Sequence, residues 1–158
     1  PGDEIKEHHP GGTDTGRRIV RYIASGTFGD VYKVQTNDDP PVREAMKMIT
    51  LIDARTGRPL SDEKRVRRLR PHVLEARTML ELGQHPNLVG LRAAYQIGSD
   101  FYLFMDLVPG GRSLKGVLRD VALTSKQAAL VGFEMARGLA YMHAKGFVHW
   151  DVKPDNTL

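Results

Sequence analysis

Five short runs rich in β-branched and aromatic residues, separated by turn residues, restrict what most of this chain can fold into. Ile19, Val20, Tyr22 and Ile23 make the first run; residues 31–34, 44–49, 88–95 and 101–105 make the other four. Gly98, Ser99 and Asp100 divide the last two. Short runs punctuated in this way pair as hairpins, so the expectation is a small five-stranded antiparallel sheet.

The periodicity changes twice to a helical one. Between the third and fourth runs, Val73, Ala76, Met79 and Leu80 offer one apolar face, and Gly83 ends the segment. Pro71 either opens this helix or breaks a longer one that starts near Ser61. A second helix follows the strands. Thr124 is a good N-cap, with Gln127 as its capping-box partner. Ala128, Val131, Met135, Leu139 and Met142 share one face, and Gly146 supplies the stop. A sheet followed by helices predicts an α+β fold.

Composition narrows the function class. With 158 residues and 41% hydrophobic content, the chain suits one medium domain or two small lobes. A net charge of +4, with few aromatics among the basic residues, gives no case for nucleic acid. The chain has no cysteine, which removes disulfides and thiolate zinc sites and fits a reducing compartment. No apolar run approaches a membrane span and no signal-peptide core follows Pro1. The expectation is an intracellular protein, cytoplasmic or nuclear, away from membranes. Residues 1–16 hold four glycines and two prolines and are expected to be a disordered lead-in. The His8-His9 pair lacks further ligands for a metal. Because the chain starts at Pro1 rather than Met, it is expected to be a fragment.

Three stretches carry chemistry. Ile23-Ala24-Ser25-Gly26-Thr27-Phe28-Gly29-Asp30-Val31 lies between two strand-like runs. Gly26 and Gly29 let the backbone turn tightly and bring N–H groups to phosphate oxygens; an ordinary two-glycine hairpin is the alternative. Strand–turn–strand context separates this loop from the dinucleotide fingerprint, which needs a helix. Lys47 interrupts an apolar strand, either as a snorkelling edge residue or as a phosphate ligand. Near the end, Asp151, Lys153 and Asn156 have the types phosphoryl transfer needs. The Asp orients a hydroxyl and takes its proton, the Lys holds phosphate charge, and the Asn binds Mg²⁺ through its amide oxygen.

In order and context, these stretches resemble the protein kinase family. The first loop is similar to the kinase G-x-G-x-x-G-x-V motif, with Ala24 at the first glycine. Lys47 in 44–49 matches the V-A-I-K lysine, with Ala45 placed to pack on adenine. Glu75, ahead of a His85-Pro86-Asn87 turn, resembles the helix glutamate that pairs with this lysine; Glu81 is the rival. Residues 101–111 resemble the fifth strand and hinge. That implies Met105 as gatekeeper and adenine bonds to the Asp106 carbonyl and the Val108 N–H. His149-Trp150-Asp151-Val152-Lys153-Pro154-Asp155-Asn156 resembles the catalytic loop, in serine/threonine wording.

The resemblance implies a kinase-like lobe with its hinge at 17–108 and a partial second lobe at 109–158. ATP and Mg²⁺ are the implied cofactors, and a protein Ser or Thr hydroxyl the acceptor. Ile23, Ala24, Ser25, Gly26, Thr27, Phe28, Gly29, Val31, Ala45, Lys47, Met105, Asp106 and Val108 would bind nucleotide. Asp151, Lys153, Lys47 and Glu75 would be catalytic, with Asn156 at the metal. A pseudokinase or binding module is the alternative, since Ala24 and Trp150 depart from the family pattern. Trp150 stands where the family has an Arg that anchors a phosphorylated activation loop, so activation by that route is not expected. The piece ends before the D-F-G segment and is expected to be inactive alone. Lys64, Arg65, Arg67, Arg68 and Arg70 form a basic cluster, either a solvated face or a docking patch for an acidic or phosphorylated partner.

Overall fold

The computed structural model describes residues 16–26 and 29–158. The lead-in at 1–15 and the loop residues Thr27 and Phe28 lie outside the described residues. The chain divides into two compact units. One runs to Arg77 and takes in Leu91–Leu107; the other comprises Thr78–Gly90 and Val108–Leu158.

The first unit is built on an antiparallel sheet of β1 (Arg17–Gly26), β2 (Gly29–Thr36), β3 (Arg43–Thr50), β4 (Leu91–Ile97) and β5 (Asp100–Asp106). The spatial order is β1-β2-β3-β5-β4. Strand β4 starts three residues later than the sequence pattern suggests, because residues 85–88 are spent on a turn in which the Leu88 N–H donates to the His85 carbonyl.

The strand period of two sorts the side chains onto two faces. One face carries Val34, Met46, Tyr102 and Phe104, all buried, with Ile19, Tyr32 and Met48 packed on them. Over this face lies Arg17, its guanidinium 4.3 Å from the Phe104 ring centroid and 2.5 Å from Glu44, which is itself buried. The other face carries Ile49, Phe101 and Leu103, with Ala76, Leu69 and Leu91 against them. Phe104, Ile49, Leu51, Leu103 and Val34 are fully buried, each contributing roughly 1.5–3 kcal/mol of hydrophobic stabilisation.

Helix α1 (Asp62–Leu82) is one continuous helix with Pro71 inside it, so the longer of the two sequence alternatives holds and the proline does not end it. Its inward face differs from the expected one. Val73 and Leu80 are exposed, whereas Leu69, His72, Ala76 and Met79 turn inward at helical spacing. A histidine at the centre of the stripe hid the true face from a reading based on apolar residues.

The second unit holds α2 (Leu114–Asp120) and α3 (Ser125–Ala144). Thr124 caps α3 through the reciprocal box with Gln127. The helix closes on Gly146 at φ 80°, with Phe147 N–H donating to Met142 and Gly146 N–H to His143, which satisfies two terminal carbonyls. Met142 and Gly138 are buried, while Ala128 is exposed together with Leu130 and Phe133. Within this unit α3 grips the 85–87 turn. Tyr141 stacks on His85 at 4.4 Å and donates to the Leu82 carbonyl at 2.6 Å, and Asn87 donates to Glu134.

Candidate active site

The first unit gathers Ala24, Val31, Ala45, Lys47 and Met105 on one face of its sheet, whereas Asp106 has the opposite strand parity and Val108 belongs to the second unit. Strand register puts Ala24 opposite Val31, Val31 opposite Lys47, and Lys47 opposite Leu103, a row that crosses four strands. Ala45 lies two residues along β3 from Lys47, on the same face and opposite Met105. Ile23, Ala24 and Ser25 lie at the end of β1, where the register shifts between Tyr22 and Ala24, and Gly26 pairs with Gly29. Asp106 ends β5 with its carboxylate bound to Arg92 at 2.5 Å.

Gly29 has φ 131°, and a Cβ there would stand 2.3 Å from the Met48 carbonyl oxygen. Close approach of β2 to β3 already demands glycine at this position. This steric demand is independent of any role of Gly29 in approaching phosphate.

Lys47 and Glu75 form a two-pronged ion pair, Nζ donating at 3.0 Å to Oε1 and 2.7 Å to Oε2. Strand β3 points the lysine toward the helix face of the sheet, and α1 supplies the glutamate. Glu75 is also approached by His72, Nδ1 to Oε2 at 3.4 Å. Burial holds the His72 imidazole below its ordinary pKa, with Lys47 and Arg68 acting in the same direction and Glu75 opposing. The basic cluster lies on the first half of α1, with Lys64, Arg67, Arg68 and Arg70 exposed and Arg65 half-buried.

The second unit holds the other group. Asp151 Oδ2 accepts from Lys153 Nζ at 2.8 Å and from Asn156 Nδ2 at 2.9 Å. Asn156 Nδ2 also donates to the Asp151 carbonyl at 2.9 Å. These bonds, that of Lys153 foremost, hold the Asp151 carboxyl below its ordinary pKa, and the same pairing raises Lys153. The Asp151 N–H donates to His149 Nδ1 at 3.2 Å. Trp150, between them, has φ 64° and is 89% exposed. A bulky residue there is strained, a feature with no sequence signal.

Chemically, Asp151 Oδ1 carries no hydrogen bond among the described residues, while Oδ2 is fully engaged. The carboxylate is therefore fixed on one side and open on the other. Asn156 spends its amide N–H group on Asp151, which leaves its carbonyl oxygen as the available ligand for a hard cation. Among the described residues no group of three or more His, Cys, Asp and Glu could hold a metal by itself. No described helix is long and apolar enough to cross a membrane.

This five-stranded antiparallel sheet, with a strand lysine paired to a helix glutamate and an Asp-x-Lys-x-x-Asn loop, is the arrangement of a protein kinase domain. The sequence model of that family, protein kinase domain, matches residues 17–158, and the chain belongs to it. Ribosomal protein S6 kinase alpha-2 of Mus musculus is 39% identical over 84 residues, 53% of this chain and 12% of that protein. Ribosomal protein S6 kinase alpha-3 of Homo sapiens is 37% identical over 84 residues, 53% of this chain and 11% of that protein. Ribosomal protein S6 kinase alpha-6 of Danio rerio is 34% identical over the same length and coverage. The chain spans only about a tenth of the length of these relatives.

Proposed function

We propose that the protein transfers the γ-phosphoryl group of ATP, with Mg²⁺, to a Ser or Thr hydroxyl of a protein substrate. The observation that carries this reading is the Lys47–Glu75 ion pair, which must be formed for a kinase lysine to hold the nucleotide phosphates. Glu75 fixes the Lys47 ammonium so that it binds the α- and β-phosphates. Ala45 and Met105, side by side on the same sheet face, suit an adenine ring. When bound, Mg²⁺ neutralises charge on the phosphates, and Asn156 would offer it an oxygen.

Asp151 presents Oδ1 to the acceptor hydroxyl. Because its carboxyl is held ionised, it orients the hydroxyl and receives the proton late, as the acceptor O–P bond forms, the γ-phosphorus bond to the bridging oxygen breaks and ADP leaves with that electron pair. Lys153, 2.8 Å from the same carboxylate, places a positive charge beside the transferred group. The test is transfer of label from γ-labelled ATP by the full-length protein, with phosphoamino-acid analysis. Label on Ser or Thr that requires Mg²⁺ supports the reading; label confined to Tyr, or none, contradicts it.

The basic cluster on α1 supports a second, smaller proposal: an acidic or phosphorylated protein segment docks there. Four of its five side chains are exposed, and their charge has one sign. Reversing Arg67, Arg68 and Arg70 to Glu should weaken binding of such a segment; unchanged affinity would reduce the cluster to a solvated face.

A further inference from the structure

We propose that His72 is a positioning residue: its imidazole holds the Glu75 carboxylate in the orientation that grips Lys47. This rests on the reading of Lys47 as the nucleotide lysine. One helical turn separates His72 from Glu75, and that spacing places both on the same side of α1. The His72 Nδ1 lies 3.4 Å from Glu75 Oε2, the same oxygen that accepts the shorter Lys47 bond at 2.7 Å.

The three side chains differ in how firmly they are held. The histidine side chain is 5% exposed, the lysine 14% and the glutamate 37%. The glutamate is thus the wettest of the three and the one with most freedom to swing away. Its helix neighbour Leu74 is exposed and offers no wall to restrain it. A long side chain fixed in one rotamer loses conformational entropy, and a rigid neighbour that already favours the right rotamer lowers that cost. His72 is such a neighbour, packed on the inward stripe between Leu69 and Ala76.

The competing explanation is that His72 merely fills space. Leucine or methionine would fill it without burying a polar ring, and neither would turn a nitrogen toward Glu75. In the neutral tautomer with hydrogen on Nδ1, the ring donates to Glu75. The charged groups around it are Lys47 from β3, and Glu75 and Arg68 from its own helix. On protonation the ring becomes a second cation competing with Lys47 for Oε2.

The test uses the full-length protein and measures kcat and KM for Mg·ATP across pH 5.5–8, with the melting temperature of each variant. His72→Leu keeps the packing and removes the nitrogen; it should lower kcat/KM by about fivefold at unchanged melting temperature. His72→Asn places an amide N–H where Nδ1 stands. It should recover kcat/KM to within about twofold of the wild type, without the wild type's fall at the acid end of that range. Wild-type kcat/KM in His72→Leu, or a loss that His72→Asn does not rescue and that follows the melting temperature, overturns the proposal. Should His72→Leu fail to fold, His72→Asn decides through its acid limb: a lost limb supports the role and an unaltered one overturns it. Lys47→Met is the control. If it leaves kcat/KM for ATP unaltered, the nucleotide reading itself fails; if it abolishes turnover while His72→Leu is silent, only the role of His72 fails.

Discussion

Lys47 and Glu75, 28 residues apart, meet through both carboxylate oxygens, and so tie strand β3 to helix α1. Removing the carboxylate charge leaves the Lys47 ammonium without the grip that fixes its position for the phosphates. Glu75→Gln is expected to lower kcat/KM for ATP by roughly 10- to 100-fold. Since Glu75 is 37% exposed, its effect on folding stability should stay near 1 kcal/mol. Steady-state kinetics and urea denaturation on the same variant separate the two.

Gly29 should prove as much a folding residue as a nucleotide residue. In Gly29→Ala the new methyl meets the Met48 carbonyl at 2.3 Å, in a backbone conformation that disfavours any side chain. A loss of about 2–3 kcal/mol in nucleotide-free denaturation is expected. Normal stability with weakened ATP binding would show that the glycine serves the phosphates alone.

The Asp151 carboxyl should titrate below the ordinary carboxylate range, held there chiefly by Lys153, and move up toward that range in Lys153→Ala and Asn156→Ala. The sign follows from its depressed folded-state pKa: the favourable interaction is present above the unfolded value and is lost as pH falls through the folded one. Carbon-13 NMR of the carboxyl reads it directly. An unchanged titration in both variants would mean that Lys153 and Asn156 do not hold this group.

Trp150 holds a left-handed conformation with its side chain in solvent. Trp150→Asn, which tolerates that conformation far better, should raise stability by about 1 kcal/mol, measurable as a higher melting temperature. A lower one would mean that the indole contributes packing that outweighs the strain.

Much of this architecture is legible in the sequence because its signals are local. The β-branched runs gave all five strands, and Thr124 with Gln127 marked the start of α3. The cap at Gly146 needs only the residues around it. What escaped depends on contacts between distant segments. Arg17 lies over Phe104 and pairs with buried Glu44, yet as a sequence each charge reads as exposed. His72 faces inward and lies 3.4 Å from Glu75; it is a polar residue on the buried stripe, which a search for apolar spacing passes over in favour of Val73 and Leu80. Pro71 is accommodated within α1, where local rules left two alternatives. At the candidate site, the resemblance to the kinase motifs implied Lys47 with Glu75, while residue types and spacing suggested Asp151 with Asn156. The division of labour between the two oxygens of Asp151 required geometry.

Asp151 as the residue that takes the acceptor's proton can be checked by comparing phosphoryl transfer from Mg·ATP in the full-length wild type and Asp151→Asn, with ATP affinity measured on both. The expected result is a fall in transfer of about 100-fold or more, with ATP affinity kept within about twofold. Transfer that survives the substitution intact would contradict the assignment of Asp151, and with it the account of this site.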